Sequence, residues 1–521
     1  MHIKDSVAII RNILQQSRTR NLELWKSSAA EGVESLHLRN HDEAFILDTQ
    51  TTKDLDLSTF FARFNFPATT YGEQMLWHRL HSQPKELSES VKIIDDVLYL
   101  QKNPEIQAQL QKLLKKVGKQ HRGNITRELW DGTLYKPAFS RVIPFWFFTA
   151  PVLMVLGFLF FGSQGLFGLM ILMAVNLGIF LISNRKINYF AGSMSYLTRG
   201  LQFFYVIQKK SDLKRFHPNW FSEKGLKRIR KRGVLFKSGI GGPQAQDLLS
   251  ILIDYIRIFL CAELFAYYLV SKLIDRYRND IRKIIPWIGH IDCMVHTAAL
   301  YAGNPDMASP KVGEYAYMDF KNLRHPLVDN CIGQELKVEQ GMIITGMNMA
   351  GKSTFLKTVS LNQILATSLG VVFADFFETG MFYVVSSLKI EDDISQRKSK
   401  YFLEAERLLD IHNSIKHKKL LCVVDEILTG TNTTDRITAS LGILKKFAAY
   451  PQSLVIAATH DTQIAEDTGT LYKKYYFDGK VNDEEIDFDF IIKPGIVPQR
   501  NALALLEFLG LEIEVIDKTH R

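Results

Sequence analysis

Residues 345–354 read Thr-Gly-Met-Asn-Met-Ala-Gly-Lys-Ser-Thr. Gly346, Gly351, Lys352 and Ser353 stand where a phosphate-binding loop requires them. Such a loop joins a strand to a helix, so that backbone N–H groups and the positive end of the helix dipole point at a phosphate chain. We therefore predict that Lys352 contacts the terminal phosphates of a bound nucleotide and that Ser353 is a ligand of Mg²⁺.

The residues around this loop have the pattern that a strand and a helix need. A short apolar run at 342–344 precedes it, as expected of a buried strand. From Lys352 onward, apolar residues recur three and four positions apart, which is typical of a helix. Thr354, the last residue of the motif, is included among the predicted nucleotide-binding residues. The sequence thus predicts a P-loop nucleotide-binding domain of the α/β class.

Two further apolar runs end in polar residues suited to hydrolysis. The run 420–424 leads into Asp425 and Glu426, at the strand end where open α/β sheets bind ligands. We predict that Asp425 holds Mg²⁺ and that Glu426 orients or deprotonates the attacking water. The run 454–458 leads to His460, which we expect to sense or polarise the γ-phosphate. A purely structural histidine is the alternative.

These motifs resemble the ATPase domain of the MutS mismatch-repair family. The family's T-G-P-N-M-G-G-K-S-T is similar to residues 345–354, with Met347 in place of proline. Its D-E-I-G-R-G-T-S-T is similar to 425–433, and its A-T-H to 458–460. The resemblance implies ATP as the nucleotide, an ABC-like ATPase fold, and a phosphate contact for Asn348.

A fourth segment of the resemblance concerns a second subunit. Residues 392–404 are similar to the family's D-D-L-A-S-G-R-S-T-F-M-V-E. By that likeness Ser399 is the signature serine, which in MutS-like dimers contacts the nucleotide held by the other subunit. The family's Gly-Arg before this serine is replaced by Arg397-Lys398 here. The resemblance therefore implies a homodimer with shared ATP sites.

The resemblance extends upstream to a mostly helical lever or clamp region. The segments 51–57 and 69–72 are similar to the family's N-L-E-L-like strand and to the T-x-x-G that leads into a helix. Phe320 or His325 could pack on adenine, and simple core packing is the alternative. Only about forty residues precede the lever-like part of this sequence, so we expect no mismatch-reading domain there.

The lever region contains a long uncharged stretch. From Val142 to Asn184, 43 residues carry no charge, and Phe, Leu, Ile, Met, Val and Gly dominate. One bilayer crossing takes about 20 residues, and Gly-Ser-Gln-Gly at 162–165 interrupts the run. We predict a transmembrane helical hairpin at about 143–183, with buried core helices as the alternative. Arg141 precedes the stretch, and Arg185 and Lys186 follow it. By the positive-inside rule we expect the soluble parts in the cytoplasm, at the cell (inner) membrane.

The net charge of +9 is concentrated in one place. Between Lys209 and Arg232 there are ten Lys/Arg residues against Asp212 and Glu223, with aromatic residues interleaved. This stretch could grip DNA phosphates or anionic lipid headgroups. A solvated basic face is the third possibility. The four cysteines have no metal-site or disulfide spacing, which suits a reducing compartment.

Together these patterns predict three parts: an N-terminal helical segment (1–40), a lever/clamp region with the membrane hairpin (41–310), and an ATPase domain (311–521). We expect a membrane-anchored, dimeric ATPase that uses ATP and Mg²⁺ to switch a clamp acting on DNA. The alternative is a membrane-tethered switch or scaffold that engages protein or lipid without DNA. An ABC transporter is disfavoured, because no Leu-Ser-Gly-Gly-Gln signature occurs.

Overall fold

The structure is a computed structural model, and it describes residues 30–39, 44–121, 123–132, 142–218, 226–230, 262–347, 349–388, 400–429, 432–481 and 486–497. A mostly helical part extends to about residue 310, and a mixed α/β part follows it. Most of the predicted N-terminal helical segment lies outside the described residues.

The helices of the first part are α1 (Ala30–Val33), α2 (Thr49–Asp54), α3 (Leu57–Phe64), α4 (Thr70–Leu80), α5 (Leu87–Lys102), α6 (Pro104–Val117), α7 (Ile125–Trp130), α8 (Ile143–Lys209), α9 (Ala262–Arg276) and α10 (Arg278–Gly303). Residues 226–230 form a further helical turn. Strands β1 (Ala44–Ile46) and β2 (Ser82–Pro84) pair antiparallel. The helices enclose one apolar core, whose burial is the main force that holds them together.

The T-x-x-G step at 69–72 starts α4, as the sequence predicts. The Thr69 side chain accepts a hydrogen bond of 2.9 Å from Gly72 N and so caps the helix. The buried carboxylate of Asp292 on α10 accepts hydrogen bonds from Thr69 N (2.7 Å) and Thr69 Oγ1 (2.6 Å). A Cβ atom at Gly289 would lie 2.6 Å from the Tyr71 carbonyl oxygen, so glycine permits α4 and α10 to approach this closely.

The long helix α8 is a hairpin. Its backbone leaves helical geometry at Gly162 (φ 50°, ψ −123°), a conformation that suits glycine. Trp146 Nε1 in the first arm donates a 2.8 Å hydrogen bond to Asn176 Oδ1 in the second, so the arms lie side by side. The predicted break at 162–165 is thus placed at its first residue. The second arm does not end near Ser183, because the helix continues to Lys209.

The membrane prediction for this hairpin needs correction. Among the residues that the structure describes, none of the helices has the length and apolar character that a bilayer crossing demands. The two membrane-spanning helices expected at about 143–183 are therefore not supported. A lack of charge indicated an apolar hairpin, but it could not show where the second arm ends. That arm runs on through the charged residues Arg185 and Lys186 into the helical core.

The strands of the α/β part are β3 (Lys311–Gly313), β4 (Met318–Leu323), β5 (Gln334–Val338), β6 (Met342–Gly346), β7 (Phe376–Gly380), β8 (Tyr383–Ser387), β9 (Leu420–Asp425), β10 (Leu454–Ala458), β11 (Lys473–Phe477), β12 (Gly479–Val481), β13 (Ile486–Phe488) and β14 (Lys493–Pro494). Its helices are α11 (Lys352–Ser368), α12 (Lys400–Ile415), α13 (Thr433–Ala448) and α14 (Thr462–Asp467). The predicted α/β class is confirmed.

One six-stranded sheet carries the predicted motifs. Its order is β14-β11-β6-β10-β9-β8, and only β14 runs antiparallel to its neighbour. In β6, Ile344 faces one apolar core and Ile343 the other, and β9 and β10 alternate in the same way. Apolar residues on both faces explain the continuous apolar runs. Since these strands are parallel, their carboxyl ends meet at one edge.

The helical part covers the outer edge of β8. Side chains of the first part accept hydrogen bonds from three successive outward-facing backbone N–H groups: Gln83 from Val384 (2.8 Å), Thr51 from Ser386 (3.0 Å) and Asp54 from Leu388 (2.9 Å). An uncovered strand edge would leave these donors open to other chains. The helical part and the sheet therefore form one packed body.

Candidate functional site

The phosphate loop follows β6, as predicted. Gly346 ends the strand with φ 141°, and Gly351 precedes α11 with φ 108°. These are backbone conformations that residues with a Cβ atom rarely adopt. A Cβ at Gly346 would also lie 2.4 Å from the carbonyl oxygen of Phe477. Both glycines of the motif are therefore required by the path of the backbone.

Lys352 begins α11 and folds back onto its own loop. Its Nζ atom donates to the carbonyl oxygens of Gly346 (2.6 Å) and Met347 (2.8 Å). Burial lowers the pKa of this amine below its ordinary value, and the nearby carboxylates of Asp425 and Glu426 only partly oppose that shift. In this arrangement the loop carbonyls satisfy an ammonium group that a nucleotide phosphate would otherwise contact.

Ser353 and Asp425 meet across the carboxyl edge of the sheet. The Ser353 hydroxyl hydrogen-bonds Asp425 Oδ2, which brings the residue after the loop lysine against the end of β9. Burial raises the pKa of Asp425, and the hydrogen bond from Ser353 opposes that rise. The two predicted metal ligands are therefore adjacent, and both offer the oxygen donors that Mg²⁺ prefers.

Glu426 and His460 form the next pair along this edge. His460 Nδ1 lies 3.2 Å from Glu426 Oε1. The hydrogen bond with His460 lowers the pKa of Glu426, and the same bond raises the pKa of His460. The structure thus brings together five side chains that were predicted to act on the nucleotide: Lys352, Ser353, Asp425, Glu426 and His460.

Four of these residues, Lys352, Ser353, Asp425 and Glu426, line a cavity of about 490 Å³. Part of its lining was not foreseen from the sequence, namely the loop 328–332 together with Gln334 and Phe490. Gln334 Nε2 donates 2.7 Å to the Phe490 carbonyl oxygen, which ties these two wall segments together. They lie about 150 positions apart in the sequence, so no local pattern could have linked them.

The two residues considered for stacking on adenine belong to the protein core. Phe320 is fully buried and stacks on Phe377 at 6.3 Å between ring centroids. His325 is buried, and its Nδ1 atom accepts a 3.2 Å hydrogen bond from Leu327 N. Burial lowers the pKa of His325 to about 4. Neither residue lines the cavity, so the core-packing alternative holds for both.

The remaining predicted contacts differ in their outcome. Thr354 lines the cavity beside Ser353. Asn348 and Ser399 lie outside the described residues, and their roles stay predictions. Helix α12 begins at Lys400, the residue after Ser399.

Comparison with known proteins agrees with this geometry. Residues 342–521 match the sequence model of "MutS domain V", and the match starts at the first residue of β6. This part of the chain is a MutS domain V. The domain therefore contains the phosphate loop, Asp425, Glu426 and His460.

Several curated proteins of the MutS family are similar to this chain. "DNA mismatch repair protein MSH3" of Vanderwaltozyma polyspora is 27% identical over 267 residues, which is 47% of this chain and 26% of that protein. "DNA mismatch repair protein MutS" of Carboxydothermus hydrogenoformans is 23% identical over 266 residues, or 48% and 31%. "Endonuclease MutS2" of Finegoldia magna is 29% identical over 232 residues, or 43% and 29%.

The chain thus spans between about a quarter and a third of the length of these relatives. Half or more of the chain lies outside each of these alignments.

Proposed function

We propose that this protein, which carries a MutS domain V, binds ATP with Mg²⁺ and hydrolyses it. The observation that carries the proposal is the cluster at the carboxyl edge of the sheet, where Lys352, Ser353, Asp425 and Glu426 line one cavity. A cationic amine, two metal-type oxygen donors and a carboxylate base are the groups that phosphoryl transfer to water needs.

The residues present fit a magnesium ion. Ser353 Oγ and the Asp425 carboxylate already contact each other, and both would hold the ion. When bound, Mg²⁺ would neutralise charge on the phosphate oxygens. Burial of Asp425 without a cation raises its pKa, so a bound cation would favour its ionised form.

The protein's own side chains would carry the remaining work. Lys352 would exchange the carbonyls of Gly346 and Met347 for phosphate oxygens, which keeps its ammonium group satisfied. Glu426 would orient the attacking water or take its proton. His460 contacts Glu426, and we propose that it leaves this carboxylate for the γ-phosphate when nucleotide enters.

We further propose that ATP binding and hydrolysis switch a homodimeric clamp that acts on DNA. The relatives named as DNA mismatch repair proteins support DNA as the partner. The described part of the basic stretch also supports it, because Lys227 and Arg228 are exposed. Arg215 is bound to Asp95 and Asp96 at 2.5 and 2.9 Å and would contribute little to phosphate binding.

The test is ATP turnover by the full chain with Mg²⁺, with EDTA, and with added duplex or mismatched DNA. We expect turnover that EDTA abolishes and that DNA changes. A protein that binds no ATP in the presence of Mg²⁺ would refute the proposal. Turnover that is indifferent to every DNA tested, without DNA binding, would refute only the DNA part.

One observation favours a second candidate function, an ATP-driven switch at the membrane surface that engages protein or lipid without DNA. The hairpin α8 exposes large apolar side chains on consecutive positions: Phe158, Leu159, Phe160 and Phe161 are 59–76% exposed. A monomeric soluble protein rarely exposes a contiguous apolar patch of this kind. For this second candidate we propose the predicted location: the hairpin α8 would lie at the cell (inner) membrane, and the remaining parts would lie in the cytoplasm.

A further inference from the structure

The loop that carries Glu426 has an unfavourable backbone conformation. Glu426 and Leu428 have φ angles of 49° and 59°, in the left-handed region that residues with a Cβ atom avoid. Such a conformation persists only where surrounding contacts impose it. The position of the Glu426 carboxylate therefore depends on whatever holds the residues after it.

A buried carboxylate on α12 holds this loop. Both oxygens of Glu404 accept hydrogen bonds from Thr429: Oε2 from the backbone N–H at 2.8 Å and Oε1 from the hydroxyl at 2.7 Å. Glu404 is 6% exposed, so these bonds are shielded from competing water. Hydrogen bonds to the backbone of this loop also run from Glu426 N to the Ala458 carbonyl at 2.9 Å and from Ser440 Oγ to the Ile427 carbonyl at 3.2 Å.

The same helix is fixed to the lever region one turn later. Arg407 donates from Nε and Nη2 to the Ser386 carbonyl oxygen at 2.9 and 2.6 Å. Its Nη2 atom also donates to Asp48 Oδ2 (3.0 Å) and Thr51 Oγ1 (2.9 Å) at the start of α2. Helix α12 therefore touches the hydrolysis loop through Glu404 and the lever region through Arg407.

We propose that Glu404 is a positioning residue for ATP hydrolysis. By holding both polar groups of Thr429 it fixes the left-handed loop, and the loop keeps the Glu426 carboxylate at the cavity. Movement of α12 would be passed to Glu426 through this contact, and to the lever region through Arg407. The inference rests on the proposed ATPase activity, since positioning has no meaning without the reaction.

Glu404→Ala and Glu404→Gln together provide the test in the full chain. The alanine variant releases Thr429, so we expect kcat to fall about tenfold or more while the Kd for ATP stays within about twofold. The glutamine variant can accept from Thr429 N and donate to Thr429 Oγ1, so we expect it to regain most of the wild-type kcat. Asp410→Asn removes an exposed carboxylate from the same helix and should leave kcat unchanged.

A second variant separates positioning from simple stability. Thr429→Val removes only the hydroxyl partner, and its effect on kcat should not add to that of Glu404→Ala, because both break one contact. Amide hydrogen exchange at residues 426–429 should accelerate in Glu404→Ala and not in Asp410→Asn. Wild-type kcat in Glu404→Ala, or additive effects of the two changes, would overturn the inference alone. A wild-type protein without ATPase activity would overturn the proposed function and this inference with it.

Discussion

His460 Nδ1 lies 3.2 Å from Oε1 of Glu426, so the carboxylate expected to act on water is engaged by an imidazole. The contact raises the pKa of the histidine and lowers that of the glutamate. Lys352 is likewise hydrogen-bonded to its own loop. The amine and the carboxylate of this site therefore both have hydrogen-bond partners within the protein. Nucleotide binding would have to replace both contacts, and the predictions below follow from that arrangement.

Lys352→Ala and Glu426→Gln should impair ATP hydrolysis in different ways. The lysine change removes the cation that pairs with the phosphates, so we expect the Kd for ATP to rise. The glutamine change keeps the shape of Glu426, so binding should persist while kcat falls roughly 10²-fold or more. Equilibrium ATP binding and steady-state turnover measure the two effects. Wild-type turnover in Glu426→Gln would show that another group activates the water.

The His460–Glu426 pair should make stability depend on pH. The pKa of His460 is raised above 6.5 in the folded state, so its contribution is full below pH 6.5 and is lost as pH rises through the raised pKa. The pKa of Glu426 is lowered below 4.5, so its contribution is present above pH 4.5 and is lost as pH falls through the lowered pKa.

Both side chains are partly exposed, so the free energy of unfolding should change by only about 0.2–1 kcal/mol. Urea unfolding of wild type and His460→Ala should differ near pH 5.5 and converge near pH 8.5. A difference that grows at pH 8.5 would contradict the ion pair.

ATP sites shared between two subunits should be revealed by mixing variants. A heterodimer of Lys352→Ala and Ser399→Ala chains has one doubly damaged site and one intact site, if Ser399 acts on the partner's nucleotide. ATP turnover of the mixture should recover toward half of wild type after the subunits exchange. Each variant alone is the control, and no recovery in a mixture shown to contain heterodimers would argue against a shared site.

Variants at exposed basic residues should show whether the basic stretch 209–232 binds DNA or lipid. Changing Lys227 and Arg228 to alanine should weaken DNA binding for all sequences and flatten its salt dependence by about one unit of slope for each phosphate that is no longer neutralised. If the stretch binds membranes instead, binding to anionic vesicles should weaken, by about 1 kcal/mol per charge. Lys357→Ala, far along the sequence in α11, controls for the removal of a positive charge elsewhere. A full chain that binds DNA independently of salt would contradict the first outcome.

The apolar hairpin should be dispensable for nucleotide binding. Replacing residues 142–184 by a short Gly/Ser linker removes the first arm and the uncharged part of the second, and leaves all nucleotide motifs in place. We expect this variant to bind ATP as wild type does and to lose any co-flotation with lipid vesicles. If the wild-type protein does not float with vesicles and stays in the cytosolic fraction without detergent, the membrane-surface candidate is wrong.

The sequence was sufficient to predict the polar residues at the carboxyl edge of the sheet, but it did not predict the other residues that line the cavity. Lys352, Asp425 and His460 could be placed because each follows an apolar run that becomes a parallel strand, and parallel strands end at one edge. Phe490 reaches the cavity from a distant loop that has no periodicity. Glu404 is the last residue of the family-like segment 392–404, but nothing in that pattern indicated its contact with the loop after β9.

The hairpin α8 was also predicted only in part from the sequence. Glycine at 162 indicated the turn because backbone conformations of that kind favour glycine. The end of the second arm could not be read, because nothing in an uncharged run marks where a helix stops.

The covered edge of β8 has a consequence for producing this protein in pieces. A fragment that begins at residue 311 would contain every nucleotide-binding motif but would lack Gln83, Thr51 and Asp54. Its outermost strand would then offer a row of unpaired amides, which is a template for strand-by-strand association between molecules. We therefore expect the isolated ATPase fragment to aggregate on expression, and co-expression with residues 1–310 to keep it dispersed.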